Sequence, residues 1–179
     1  QVSSYYVYGL VTTGTHLIDT LRLFLKDIAG DICWVVAMPA AFCSFHPDDD
    51  PGIDGILGFE NGLKATIQSL SIKDYDIFEI NLFGRSGKVC FKNIGRDIDI
   101  YRIIPSEEHE GFTELETNPS EHRGGAPRAQ FRSMADNVIQ CLEGRGESLS
   151  TGRDSLIALE VLIAMQESSA AGGQLVKLK

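Results

Sequence analysis

Apolar side chains at Leu17, Ile18, Leu21, Phe24 and Leu25 recur at the spacing of a helix with one buried face, which predicts a helix within Gly9 to Ala29. Thr12 or Thr13 is placed to cap its start, because a threonine oxygen accepts from the free N–H groups of a first turn. A second helical period covers Ala129 to Leu142, with Phe131, Met134, Ala135, Val138, Ile139 and Leu142 on one stripe and Gly144 as the stop. A third places Leu156, Leu159, Leu162, Ile163 and Gln166 on one face and runs to about Ser169. Thr151 with Asp154 stands ahead of it close to a capping box, and Gly172-Gly173 ends it.

Between the helical stretches the pattern is that of strands. Residues 2–8 and Ile32 to Ala40 are β-branched and aromatic, and 41–46 continue or pair back. Ile53 to Glu60 and Leu63 to Ile72 flank Asn61-Gly62, the dipeptide of a type I′ hairpin. Asp76 to Phe83 and Lys88 to Lys92 form a second hairpin through Gly84-Arg-Ser-Gly87. Ile98 to Ile104 and Gln174 to Leu178 add further strands, and 105–127 reads as a long loop. Helix, many strands, two helices and a short strand predict one α+β domain over 1–179. Its open, mostly antiparallel sheet has roughly six to eight strands and helices packed on one face.

Composition narrows the function. The chain has 179 residues and a formal net charge of −9, which disfavours nucleic acid or an anionic membrane as partner. No apolar run approaches the roughly 20 residues of a membrane span, and no signal-peptide pattern opens the chain. Cys33, Cys43, Cys90 and Cys141 are scattered, without metal-ligand spacing, and read as buried thiols in a reducing cytoplasm. Asp48-Asp49-Asp50 lacks the spaced ligands of a calcium loop and reads as a solvated turn. No metal site is expected. The opening inside a strand, at Gln1, reads as a fragment of something larger.

Chemistry concentrates in the first helix. At about 100° per residue, Thr12, His16 and Asp19 fall together, away from the centre of the apolar stripe. A histidine one turn into a helix lies near the positive end of the dipole, which disfavours the imidazolium and suits proton exchange with a ligand near neutral pH. The other reading of the same residues is a cap, a histidine satisfied by backbone and a solvated aspartate. Neither a Ser/His/Asp elbow nor a metal set supports a hydrolase.

Four segments in this order resemble the C-terminal domain of the glucose–fructose oxidoreductase/inositol dehydrogenase family of NAD(P)-dependent enzymes. Gly9 to Leu25 resembles that family's Gly–…–Gly-x-His-x-x-Asp helix, and Phe59-Glu-Asn-Gly62 its mid-sheet hairpin. Ile80 to Lys88 resembles its strand, Gly-x-x-Gly, strand unit, and Thr151 to Leu178 its closing helix and last strand. The resemblance implies a dihydrodipicolinate-reductase-like fold and a sugar, nucleotide-sugar or cyclitol substrate oxidised or reduced at a hydroxyl or keto group. It implies a preceding Rossmann domain that holds NAD or NADP and a catalytic lysine. This chain has no Gly-x-Gly-x-x-Gly after a strand, so the fragment alone is expected to bind no cofactor and to be inactive. It also implies His16 as the proton-transfer group and Asp19 as an orienting group on the substrate side. Thr12 stands where the family carries an aspartate, and a hydroxyl orients a substrate oxygen but holds no charge. Tyr8 and Gly9 are placed to line the pocket. Arg123 and Arg128, beside Gly124-Gly125, suit an acidic or phosphorylated sugar, whereas His109 and His122 have no partner legible from sequence. A homo-oligomer through the uncovered sheet face is expected. The Thr12 departure also admits a non-catalytic binding or regulatory protein that keeps the fold.

Overall fold

The computed structural model describes residues 1–41, 50–126 and 129–178. In chain order, β1 (Val2–Val7) leads through one π turn (Leu10–Gly14) into α1 (Thr15–Ala29). β2 (Ile32–Pro39), β3 (Ile53–Phe59), β4 (Lys64–Leu70), β5 (Glu79–Gly84), β6 (Gly87–Lys92) and β7 (Asp97–Pro105) follow. Short strands β8 (Thr113–Leu115) and β9 (Glu121–Gly124) precede α2 (Ala129–Leu142), α3 (Gly152–Ala170) and β10 (Val176–Lys177). The strands form one sheet in the order β10-β2-β3-β4-β1-β5-β6-β7-β8, with β9 also on β7. Only β1 and β4 run parallel; the other pairings are antiparallel.

Alternation sets the faces. In β4, Ala65, Ile67 and Ser69 are buried while Lys64, Thr66 and Gln68 are exposed. Val2, Tyr6, Val35, Ala37, Leu57 and Ile80 join them in a core closed by Leu17, Ile18, Leu21 and Leu25 of α1 and Val161, Leu162 and Met165 of α3. Each fully buried Leu or Ile contributes about 1.5–3 kcal/mol. Phe24 of α1 stacks on Phe91 of β6 at 4.5 Å between ring centroids. Arg22 ties the two helices together: it is 3% exposed, donates to the Asp154 carbonyl at 3.1 Å, and its other Nη is 3.5 Å from Asp31. Tyr6 closes the core at the start of β3. Its hydroxyl donates to the Ile53 carbonyl at 2.8 Å and accepts from the Ile53 N–H at 3.1 Å. Ile53 faces Pro39, which has no N–H to offer the ladder.

Several expectations are corrected. Among the described residues the sheet has ten strands, because the stretch read as one loop holds two of them: β8 and β9 both pair along the outer edge of β7. That pairing is made by backbone groups such as Ser120 N–H to Ile100 carbonyl at 2.8 Å, which leave little hydrophobic signature. The β3–β4 turn is not type I′. Gly62 alone takes positive φ (+87°) while Asn61 does not, and Gly62 N–H and Phe59 N–H bond back to Phe59 and Leu63 carbonyls. This is the three-residue loop of a tight turn followed by a left-handed glycine. α2 spans the predicted residues, but among the described residues none of its side chains is buried, and Phe131, Met134, Val138, Ile139 and Leu142 are each at least half exposed. Only α1 and α3 cover the sheet. In α3 the sheet side is Ala158, Val161, Leu162, Ala164, Met165 and Ser168, while Leu156, Leu159 and Ile163 are exposed. A helix apolar nearly all round gives its period no unique face. The Thr151–Asp154 capping box is present as read. Among the described cysteines Cys90 is buried but Cys33 and Cys141 are only half-buried, while Cys43 lies outside the described residues. The predicted continuation of β2 lies outside them too from residue 42.

The face away from the helices carries a polar row. Asn81, Cys90, Asp99 and His122 are cross-strand neighbours in β5, β6, β7 and β9. Asp99 is fully buried and meets His122 Nδ1 at 2.6 Å, with Lys92 and the Tyr101 hydroxyl on its other oxygen. The hydrogen bond from His122, then that from Lys92, holds the Asp99 carboxyl below the usual range against the opposing effect of burial.

Two outcomes follow for stability. Tyr6→Phe strips Ile53 of a buried donor and acceptor partner, and urea denaturation is expected to show a loss of about 1–3 kcal/mol. Asp99, with its folded value below its unfolded one, stabilises above the unfolded value of 3.8 and loses that stabilisation as pH falls through the folded value. The urea midpoint is therefore expected to fall with acidification below about pH 4, and less steeply in Asp99→Asn.

Candidate functional site

Three chain segments meet where β1 ends. Tyr8 turns out of the strand with φ +63°, in the left-handed region that a bulky residue enters at a cost. Gly9 follows because nothing larger fits: a Cβ there would stand 2.0 Å from Cγ of Asp50. The chain then makes the π turn before settling into α1, and such turns recur at functional positions. Asp50, arriving ahead of β3, lays its carboxylate on the opening of this turn. It accepts from Val11 N–H at 2.7 Å, Thr12 N–H at 2.9 Å and the Thr12 hydroxyl at 2.6 Å. Leu10 N–H donates to the neighbouring Pro51 carbonyl at 3.2 Å.

This corrects two sequence readings. Neither Thr12 nor Thr13 caps the helix through its own oxygen; glycines hold the cap positions, Gly9 for the π turn and Gly14 for α1, and the opening amides of the π turn are capped by Asp50. Asp50 is then no solvated turn residue. Aspartate is a favoured capping type, but capping from 38 residues away lies beyond any local pattern.

His16 is exposed one turn beyond Thr12, and its carbonyl accepts from the Thr20 hydroxyl at 2.6 Å. Thr12 is exposed as well, and Tyr8 is 39% exposed beside them in sequence, its carbonyl accepting from Ser69 Oγ at 3.4 Å. Asp19 is half-buried and points to a different hollow. That cavity, of about 530 Å³, lies between α1 and the approach to α3, lined by Asp19, Arg22, Lys26, Ser150 and Asp154 among others. Arg123 is on β9, four strands from β1 and so roughly 19 Å across the sheet, beside Glu121 at 3.3 Å. Arg128 lies outside the described residues. Thus Thr12 and Gly9 meet Asp50 at one corner, with Tyr8 before them in the chain and His16 after them, while Asp19 lines the cavity toward α3 and Arg123 lies across the sheet. Among the described residues no three His, Cys, Asp or Glu side chains converge to hold a metal ion, and no helix is long and apolar enough to cross a membrane.

A dinucleotide does not fit this corner. A pyrophosphate needs free N–H groups at a helix N-terminus after a strand, and at the helix that follows β1 the Val11 and Thr12 N–H groups already serve Asp50.

No protein-family model matches the chain, and no curated protein does either. Solved structures do. The dehydrogenase WlbA of Bordetella pertussis, in complex with NADH and UDP-GlcNAcA, is 18% identical, with a TM-score of 0.67 over 99% of this chain and 56% of its own. Levoglucosan dehydrogenase in complex with NADH is 13% identical, with a TM-score of 0.71 over 99% of this chain and 58% of its own. An NAD-binding protein from Listeria innocua is 17% identical, with a TM-score of 0.65 over 99% and 58%. The chain spans just over half the length of these proteins. Its ten-stranded sheet and helices have the fold of a large part of NAD-binding oxidoreductases, in keeping with the family resemblance carried by its motifs.

Proposed function

We propose that this chain is the substrate-binding domain of an NAD(P)-dependent oxidoreductase acting on a hydroxyl or keto group of a sugar, nucleotide sugar or cyclitol. The observation that carries this reading is the exposed His16 one turn into a helix whose first amides are fixed by Asp50, in a fold shared with sugar and nucleotide-sugar dehydrogenases. When bound, the nicotinamide supplies the hydride acceptor or donor; it belongs to a Rossmann domain elsewhere in the full-length protein. The part of this chain is to seat the alcohol and handle its proton. His16 takes the hydroxyl proton on oxidation and returns it on reduction, and Thr12 orients a substrate oxygen.

Two surfaces support the wider assembly. The bare apolar stripe of α2 suits a neighbouring domain. On the sheet face away from the helices, Trp34, whose ring lies over Gly58, shares a row with Val36 and exposed Met38, and exposed Ile56 pairs with Val36; this face suits pairing with a second copy. The competing reading is a binding protein that keeps the fold without turnover, favoured by a threonine in place of an acid at position 12.

The test uses the full-length protein with NAD⁺ and NADP⁺ against levoglucosan, myo-inositol, glucose and UDP-N-acetylglucosamine, read by reduced-nicotinamide absorbance. Turnover is expected on at least one, falling about 10²–10⁴-fold in His16→Ala. Unchanged turnover in that variant would remove His16 from the mechanism. A protein that turns over none of these, or any wider sugar panel, would favour the non-catalytic reading.

A further inference from the structure

A second hollow, of about 510 Å³, opens at the β5–β6 hairpin. β5 runs antiparallel to β1 with Leu82 opposite Val2, so the turn Gly84-Arg85-Ser86-Gly87 lies beyond the start of β1, whereas Thr12 and His16 follow its end. The length of β1 puts the two about 20 Å apart. Strand pairing explains the shape of the hollow. Gly84 faces Gly87 and Gly87 faces Arg102, so two adjacent positions on one face contribute no side chain. No other residue fits at Gly87, where φ is +149° and a Cβ would stand 2.1 Å from the Tyr101 carbonyl oxygen. Leu82, Val89 and Ile100, neighbours across three strands on that face, give an apolar floor. The lining includes the cations Arg85, Lys88 and Arg102 and, among the described residues, no acid, in a chain with a net charge of −9. Glu121 answers the Arg102 guanidinium at 3.1 Å, and Glu116 accepts from the Arg102 N–H at 2.9 Å. The charges left over are those of Arg85 and Lys88. Lys88 Nζ stands 5.4 Å from the centre of the Phe83 ring and 5.5 Å from that of Tyr101, which holds the ammonium in place. A hollow walled by one sign of charge over an apolar floor concentrates its field on an anion.

We propose that this hollow binds an aryl phosphate monoester, its phosphate held by Arg85 and Lys88 and its ring laid on Leu82, Val89 and Ile100. A phosphate monoester carries about −1.5 to −2 at neutral pH and so matches two unanswered cations, where a carboxylate matches one. Arginine supplies the forked donors that phosphate geometry takes, and the Ser86 hydroxyl in the same lining is a further donor. The apolar floor selects a ligand with a ring over the bare ion. This site is separate from the corner around His16 and does not depend on the oxidoreductase reading.

The experiment is calorimetric titration of the full-length protein with 1-naphthyl phosphate, beside inorganic phosphate, 1-naphthol and 1-naphthoate. Saturable binding of 1-naphthyl phosphate is expected, with each of the other three weaker by about 10-fold or more, since each lacks the ring, the charge or the second charge. Arg85→Ala and Lys88→Met are each expected to weaken it about 10–100-fold, the range of a lost charge-assisted hydrogen bond. His16→Ala is expected to bind as the wild type does. Arg85 is exposed at the turn, so Arg85→Ala carries the test should Lys88→Met not fold. Absence of binding, or binding that Arg85→Ala leaves unchanged, would overturn the proposal. So would equal binding of 1-naphthoate, which removes the phosphate, or equal binding of inorganic phosphate, which removes the ring. Loss of binding in His16→Ala alone would move the ligand to the other corner and overturn it too.

Discussion

A carboxylate laid on the open end of a helix organises this molecule. The first N–H groups of any helix lack intrahelical acceptors, and here Asp50 satisfies two of them while holding the Thr12 hydroxyl. The same contact joins the exit of β1, the start of α1 and the approach to β3. It forces the local backbone into the forms seen there: a left-handed tyrosine, a glycine with no room for a Cβ, and a π turn in place of a regular first turn. Strain of this kind persists only where the surroundings hold it. The Leu10–Pro51 hydrogen bond and the Tyr6–Ile53 clamp, which continue the same pairing from Asp50 into β3, do that holding.

The sheet divides the remaining labour. Its helix side is an apolar core under α1 and α3, into which the charged side chain of Arg22 is drawn, held between Asp31 and the start of α3. Its other side carries buried Asp99, satisfied by His122, Lys92 and Tyr101, and beyond it the partly exposed apolar group around Trp34. A buried carboxylate with several charge-assisted partners holds register between β6, β7 and β9 by polar contacts where the helices give no cover. α2 has neither arrangement: its stripe is apolar, and among the described residues none of its side chains is buried.

The chemistry the corner supports is correspondingly partial. It offers an exposed imidazole, a hydroxyl committed as donor to a carboxylate, and no free amides for a phosphate. That set is what the proposed handling of an alcohol and its proton rests on. The chain shares its fold with NAD-binding oxidoreductases over just over half their length.

How much of this was legible in the chain differs by element. Helix and strand types follow from period, and α1, α2 and α3 lie close to where their apolar spacing puts them, because that spacing is a local property. The Thr151–Asp154 box is local too, and it forms as read. Where the deciding partner is distant, the local signal fails. α3 is apolar on more than one face, so only the sheet beneath it selects Met165 and Ser168 over Leu159 and Ile163. β8 and β9 form through backbone pairing with an unpaired edge, which polar residues do as well as apolar ones. Thr12 and His16 were visible as a pair one turn apart, yet the residue that completes them was not. Asp50 sits in a run of aspartates that reads as solvent-facing, and only chain closure brings it to the helix. Sequence by itself determined the helices, the strands other than β8 and β9, and the α+β class; the tertiary structure decided which faces are buried and where the Asp50 carboxylate lies, because both depend on contacts between residues far apart in the chain.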